Sequence, residues 1–221
     1  MSDRRFVITG SGRCGTKWTS EALTAAGVPT GHELVFGPEV RPWNPEVPGE
    51  VSWMASARMD LVDVPVALLV RHPMDVVRSW AEIGFFTWDL GNPTHEPLHA
   101  AWPGVYAWSS PADMALDMWV RTTEAGLRRA ELVLRWEGLD ASLFGRLLSW
   151  CGGDPGAAEV ASATPRCNRH EESRERTNVT HVGGWSVHDP TLAQRAHALA
   201  VSLGYRQGDP EQEGVHGLRL W

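Results

Sequence analysis

Ile8-Thr9-Gly10-Ser11-Gly12-Arg13-Cys14-Gly15-Thr16-Lys17-Trp18 lies near the start of the 221-residue sequence and decides how the rest is read. Phe6, Val7 and Ile8 before it form a β-type run. Thr16 to Ala26 after it carries a helical apolar spacing at Trp18, Ala22, Ala25 and Ala26. The spacing predicts strand, glycine turn, helix. Three glycines let backbone N–H groups converge on one concavity, and the positive end of the helix dipole faces the same point, so the turn suits a phosphate or sulfate.

A nucleoside-triphosphate loop places Lys directly after its last Gly and a metal-binding hydroxyl after the Lys. Here Thr16 follows Gly15, Lys17 comes one place late, and Trp18 stands where the hydroxyl is expected. The run instead resembles the G-S-x-R-S-G-T phosphosulfate loop of sulfotransferases that use 3′-phosphoadenosine 5′-phosphosulfate, with Cys14 at the second Ser. That resemblance implies donor contacts from Gly12, Arg13, Cys14, Gly15, Thr16, Lys17 and Trp18.

A second stretch, Leu68-Leu69-Val70-Arg71-His72-Pro73-Met74-Asp75-Val76-Val77-Arg78-Ser79-Trp80, extends the argument. Val66 to Val70 is a continuous apolar run, as in a strand covered on both faces, and Pro73 suits the first position of a helix. Val76, Val77, Trp80 and Ile83 make that helix's buried stripe. Side chains lean toward a helix start, so Arg71 at the strand end and Ser79 can share one anion. The spacing resembles the R-x-P-x-D-x-x-x-S pattern by which the same family holds the donor's 3′-phosphate.

The family resemblance implies a P-loop-like α/β fold, and the alternation of strands and helices independently predicts one α/β domain over 1–221 with a mainly parallel central sheet. Lys plus Arg number 20 against 27 Asp plus Glu, so a broad nucleic-acid or anionic-membrane surface is not expected. Cys14, Cys151 and Cys167 form no C-x-x-C pair, which argues against a disulfide framework or structural zinc. No signal-peptide core and no membrane-length apolar run is visible, so a soluble, cytoplasmic protein is expected.

Gly27-Val28-Pro29-Thr30-Gly31-His32-Glu33 follows the first helix. A strand from Val28 competes there with Pro29 and the glycines, which favour a loop. Bacterial sulfotransferase-like sequences carry a similar Gly-His-Glu run followed by Ser-Trp, as at Ser52-Trp53. The resemblance makes Glu33, or His32 in its place, the base that takes the acceptor's proton; the plain alternative is a solvated loop. Residues 85–111 show no sustained period but many rings, which suits either a lid or acceptor-side wall, or core filling beneath a long connection. Ser110-Pro111-Ala112-Asp113 predicts a helix start with Asp113 reaching back, the helix running to about Ala130. Glu131–Arg135 is a predicted strand, and Leu139, Leu143, Leu147 and Leu148 the buried face of the next helix. Leu134 to Leu139 resembles the family's L-R-Y-E-D-L run, which leaves Glu137 to orient neighbours. Asp189-Pro190 caps a last helix to about Leu203.

Arg166, Arg169, Arg174 and Arg176 crowd a polar stretch that is either a solvated loop or a phosphate clamp. His181-Val182-Gly183-Gly184-Trp185 is the nearest match to the family's R/K-x-G-x-x-G-x-W loop, so 164–188 is expected to close over the nucleotide through Gly183 and Gly184. His95 and His99 have metal-ligand spacing, but Pro97 between them argues against a regular helix presenting both. Asn178-Val179-Thr180 fits a glycosylation acceptor and is expected to be idle without a secretory signal. Cys14 at a helix start beside Arg13 could be reactive, yet no base partner is apparent and it is read as a Ser replacement.

These signs predict an enzyme moving a sulfuryl group to a hydroxyl or amine of a small-molecule or glycan acceptor, with Arg13 and Lys17 stabilising charge on the leaving phosphate. A sulfuryl group carries less charge than a phosphoryl group, so no metal is expected. The alternatives are a small-molecule or nucleoside kinase with an atypical loop, and a non-catalytic nucleotide-binding protein of the same fold.

Overall fold

The structure, a computed structural model, describes residues 4–87, 92–165 and 187–206. Five strands form one parallel sheet in the order β2-β3-β1-β4-β5, with β1 Phe6–Gly10, β2 Thr30–His32, β3 Gly49–Val51, β4 Val66–Val70 and β5 Ala130–Arg135. The helices are α1 Thr16–Ala25, α2 Pro73–Ile83, α3 Glu96–Ala101, α4 Pro111–Leu127, α5 Ala141–Cys151, α6 Ala158–Ser162 and α7 Pro190–Ser202. The α/β class and the parallel sheet are thus as the sequence predicts.

β1 and β4 lie side by side inside the sheet, and every residue in both is buried, which explains the apolar runs Phe6–Ile8 and Val66–Val70. Their side chains alternate between the faces. Phe6 and Ile8 join Ala67 and Leu69 beneath α1 and α5, in a core with Leu23, Phe144, Leu147 and Leu148. Leu68 and Val70 meet Val76, Val77, Trp80, Leu116 and Trp119 beneath α2 and α4 on the other face. Val7 and Val66 complete a smaller cluster with Val35, Phe36 and Ala55. Parallel pairing puts the carboxyl ends of all five strands on one edge of the sheet, where loops can assemble a site.

Several boundaries differ from the sequence reading. Gly49–Val51 is a strand, although its three residues are too few to show a period. Helix α4 stops at Leu127, because Ala130 already pairs with Val66 in β5. Ser110 caps α4 as expected, but Asp113 does not reach back: its Oδ1 accepts the N–H groups of His188 and Asp189, tying α7's start to α4. Pro97 does not prevent a helix at residues 96–101, since it occupies the first turn, where its missing N–H costs nothing. His95, 1% exposed, meets the Tyr106 hydroxyl at 2.9 Å, and His99 lies against the Tyr106 ring. Among the described residues no His, Cys, Asp or Glu cluster could hold a metal ion, and no helix is long and apolar enough to cross a membrane.

Segment 85–111, where it is described, is folded and anchored by its rings. Phe85 and Phe86 pack on Trp80, His95 and Tyr106, while Trp108 donates its indole N–H to Asp117 at 2.9 Å. The core-filling alternative therefore accounts for Phe85, Phe86 and Tyr106. Trp88 lies outside the described residues, as do Arg166, Cys167, Arg169, Arg174, Arg176, the Asn178-Val179-Thr180 run, Gly183 and Gly184, and with them most of 164–188.

Candidate functional site

The turn between β1 and α1 sits at the carboxyl edge of the sheet. Gly15 is the residue before the helix, with φ 90°, and no side chain caps the first turn of α1. A Cβ at Gly15 would lie 2.2 Å from Trp136, and one at Gly12 would lie 2.1 Å from Trp80. Both positions therefore need glycine for closeness, and Gly15 for its backbone as well. Trp136 and Trp80 set the path of the turn, and the uncapped N–H groups at the start of α1 are what an anion can use.

Two guanidinium groups meet at this turn. Arg13 extends across to α2 and donates its Nε–H to Ser79 Oγ at 3.0 Å. Arg71, just past β4, donates from Nη1 to the Arg13 carbonyl at 3.1 Å, and its buried Nε has no hydrogen-bond partner among the described residues. Burial, and then the like charge of Arg71, bring Arg13 down to about 10 from its ordinary value. Two cations held together, one with an orphaned buried donor, favour a bound anion that would relieve both. The structure thus brings Gly12, Arg13, Gly15, Arg71 and Ser79 together, and extends the expected Arg71–Ser79 pair by Arg13.

Arg71 is fixed from behind. Trp119 donates its indole N–H to the Arg71 carbonyl at 3.0 Å. Glu137 accepts the His72 N–H at 2.6 Å on one oxygen and the Tyr205 hydroxyl at 3.0 Å on the other. Arg135 stacks over the Tyr205 ring at 4.2 Å. Glu137 therefore orients the strand end that carries Arg71.

Across the start of α1 lies the second half of the site. Strand β2 ends at His32, whose Nε2 is 3.3 Å from Thr16 Oγ1 and 3.5 Å from Glu33 Oε1. Burial, with Lys17 as a second cause, lowers His32 to about 4, so the imidazole is neutral near pH 7. Burial, and then the charge of Glu50, raise Glu33 to about 7, against opposing effects from the Trp53 indole and Lys17. The 3.5 Å approach between them is accordingly a polar contact with a neutral imidazole rather than an ion pair. A polar chain runs from Thr16 in the anion turn through His32 to Glu33, with Lys17 beside it.

Arg13 at φ 72° and Glu33 at φ 59° are the non-glycine residues with positive φ among those described. Left-handed backbone costs a non-glycine residue about 1 kcal/mol or more and persists where neighbours hold it, often at functional sites. The two strained residues lie in the two halves of the site, Arg13 in the turn before α1 and Glu33 just past β2.

Two expected donor contacts are placed elsewhere. The ring of Trp18 is 5% exposed, packed edge-on against Trp136 and Phe144, and donates its N–H to the Thr164 carbonyl at 2.9 Å. The helical step from Lys17 to Trp18 turns the indole onto the sheet, so it belongs to the core. Cys14 is fully buried in the same core, and burial pushes its thiol up to about 12, leaving no thiolate near neutral pH. Only its backbone can face an anion.

Glu50 is the residue that motif reading passed over. It is 0% exposed in β3 and accepts N–H bonds from Val35 and Phe36 at 3.1 and 3.2 Å. Its signal in the sequence is slight: a lone acid in Gly49-Glu50-Val51-Ser52-Trp53, just before the Ser-Trp pair.

No family model matches the chain, and comparisons with curated proteins and with solved structures find no significant match.

Proposed function

We propose that this chain transfers a sulfuryl group from 3′-phosphoadenosine 5′-phosphosulfate to a hydroxyl or amine of a small-molecule or glycan acceptor. The observation that carries the reading is the division of the site at the start of α1. A turn with two arginines and Ser79 lies on one side, and one carboxyl with proton affinity near neutrality on the other.

The donor is the substrate to which the first half is suited. Arg71, Arg13 and Ser79 supply donors for its 3′-phosphate, and the N–H groups from Gly12 to Lys17 face its 5′-phosphosulfate. As the acceptor oxygen or nitrogen forms its bond to sulfur, the bond from sulfur to the phosphate oxygen breaks and that oxygen takes the electron pair. Lys17, with Arg13 from the same turn and the α1 dipole, stabilises the charge that grows there. Glu33 accepts the acceptor's proton, and a carboxyl near 7 suits that step because its basicity is high while a useful fraction remains ionised. His32, neutral and joined to Thr16, orients Glu33 and is the second candidate base.

The test uses water and a panel of phenols, amines and sugars as acceptors, with donor consumption followed by chromatography. Conversion of donor to adenosine 3′,5′-bisphosphate by the wild type, with Glu33→Gln still binding the bisphosphate but turning over at least tenfold more slowly, is expected. Phosphoryl transfer from ATP with Mg²⁺ and none of this turnover would overturn the reading in favour of a kinase. Donor binding without turnover by the wild type would leave a non-catalytic binding protein.

A further inference from the structure

We propose that Glu50 is the positioning residue for Glu33, a buried carboxylate that folds the 33–37 turn and sets a second negative charge behind the base. The inference rests on the role given above to Glu33.

Glu50 stands opposite Gly31 in the parallel pair of β2 and β3. A Cβ at Gly31 would approach Glu50 Oε2 to 2.9 Å, so the small residue on β2 leaves room for the carboxylate. Glu50 Oε1 gathers the Val35 and Phe36 N–H groups, while Ser52 Oγ, from the same strand end, donates to the Phe36 carbonyl at 2.5 Å. Arg58 holds the far side through the carbonyls of Gly37 and Pro38. The turn is therefore fastened on both sides immediately after Glu33, which explains how Glu33 is kept at φ 59°.

A neutral amide could accept the same two N–H bonds without burying a charge, so hydrogen bonding alone does not call for glutamate here. Glu50 Oε2 has no hydrogen-bond partner among the described residues. What the carboxylate adds is its charge. The charged and titratable groups around Glu33 are His32 on β2, Lys17 on α1 and Glu50 on β3, with the Trp53 indole as a neutral donor. Lys17 draws a proton off Glu33, and Glu50 opposes it. Burial raises Glu50 as well, against the backbone N–H groups of Phe36 and Val35 that favour its charged form, so the two carboxyls titrate as a pair in which the second ionisation resists. Glu50 thus fastens the turn that follows Glu33 and raises the basicity of the Glu33 carboxyl.

The experiment is a ¹³C-glutamate NMR titration of the ligand-free full chain, with Glu33 assigned from Glu33→Gln and Glu50 from Glu50→Gln. The expected wild-type result is a midpoint for Glu33 well above the ordinary glutamate range and a two-step curve in which each carboxyl senses the other. In Glu50→Gln the midpoint of Glu33 should fall by roughly half a unit or more, and the acid limb of turnover should move down with it. Independent single-step curves in the wild type, or an unmoved Glu33 in a folded Glu50→Gln, would overturn the proposal. The wild-type titration decides the matter even where the variant fails to fold. Coupled carboxyls in a protein that transfers no sulfuryl group would refute the proposed function and leave standing only the pairing of Glu50 with Glu33; turnover with uncoupled carboxyls would overturn this inference and leave the function.

Discussion

Removing Arg71 separates the anion site from the fold that carries it. Among the described residues Arg71 donates to the Arg13 carbonyl at 3.1 Å, and its Nε has no partner. Arg71→Ala therefore loses about 1 kcal/mol of net hydrogen bonding. The relief of its repulsion with Arg13 offsets part of that. For a chain of this size the melting temperature should fall by no more than about 4 °C. Binding should suffer far more, because a phosphate held by Arg71 would lose charge-assisted bonding worth about 2–4 kcal/mol in all. The expected result is an affinity for adenosine 3′,5′-bisphosphate weaker by roughly 30- to 1000-fold. Arg71→Lys, which keeps the charge and loses the fork, should fall between, at about tenfold. Calorimetry gives the affinities and differential scanning calorimetry the melting temperatures. A folded Arg71→Ala that binds the bisphosphate like the wild type would refute the assignment, and a collapse in stability would show Arg71 to be structural instead.

Other outcomes follow from the same geometry. Gly15→Ala must accept left-handed backbone and a contact with Trp136 at 2.2 Å, so it should lose roughly 2–4 kcal/mol and at least about 4 °C in melting temperature. Glu33, raised to about 7, binds more protons folded than unfolded from about pH 4.5 upward, so by itself it makes stability fall as pH rises to 7. His32, lowered to about 4, binds fewer protons folded than unfolded up to about pH 6.5, so by itself it makes stability rise with pH across that window. The two oppose each other between about pH 4.5 and 6.5. Denaturant melts of Glu33→Gln should there show stability rising more steeply with pH than in the wild type, and His32→Asn the opposite; unchanged slopes would contradict the assignments. In a Cys167→Ser background, Cys14 and Cys151 should stay unlabelled by a thiol reagent until the protein unfolds, since both are buried and pushed upward by burial. Rapid native labelling of either would show that the core opens.

The parts of the fold legible in the sequence are those whose pattern repeats. Val66–Val70 is apolar throughout and Phe6–Ile8 apolar up to Thr9, both buried on both faces, and Pro73, Pro111 and Pro190 each open a helix where a proline costs least. Strand β3 was not legible, because three residues containing a buried glutamate look like a polar connection. The site divides in the same way. Arg13, Arg71 and Ser79 are separated by fixed spacings within two motifs, and the fold brings them to one place. The motif groups Trp18 with its neighbours along the chain, whereas a helix turns each successive side chain by about 100°, which carries the Trp18 ring into the core. Glu50 was missed because its importance lies in facing Gly31 across the sheet and in its charge acting on Glu33 just past the strand end, relations that no local pattern records.

The measurement closest to the central claim is a calorimetric titration of the purified protein with adenosine 3′,5′-bisphosphate in the presence of a metal chelator, beside ATP with Mg²⁺. The account predicts saturable binding of the bisphosphate at one site without metal, at least tenfold tighter than ATP, and abolished together with donor turnover in the double variant Arg13→Ala, Arg71→Ala. Preference for ATP with Mg²⁺, or bisphosphate binding that survives loss of both arginines, would contradict it.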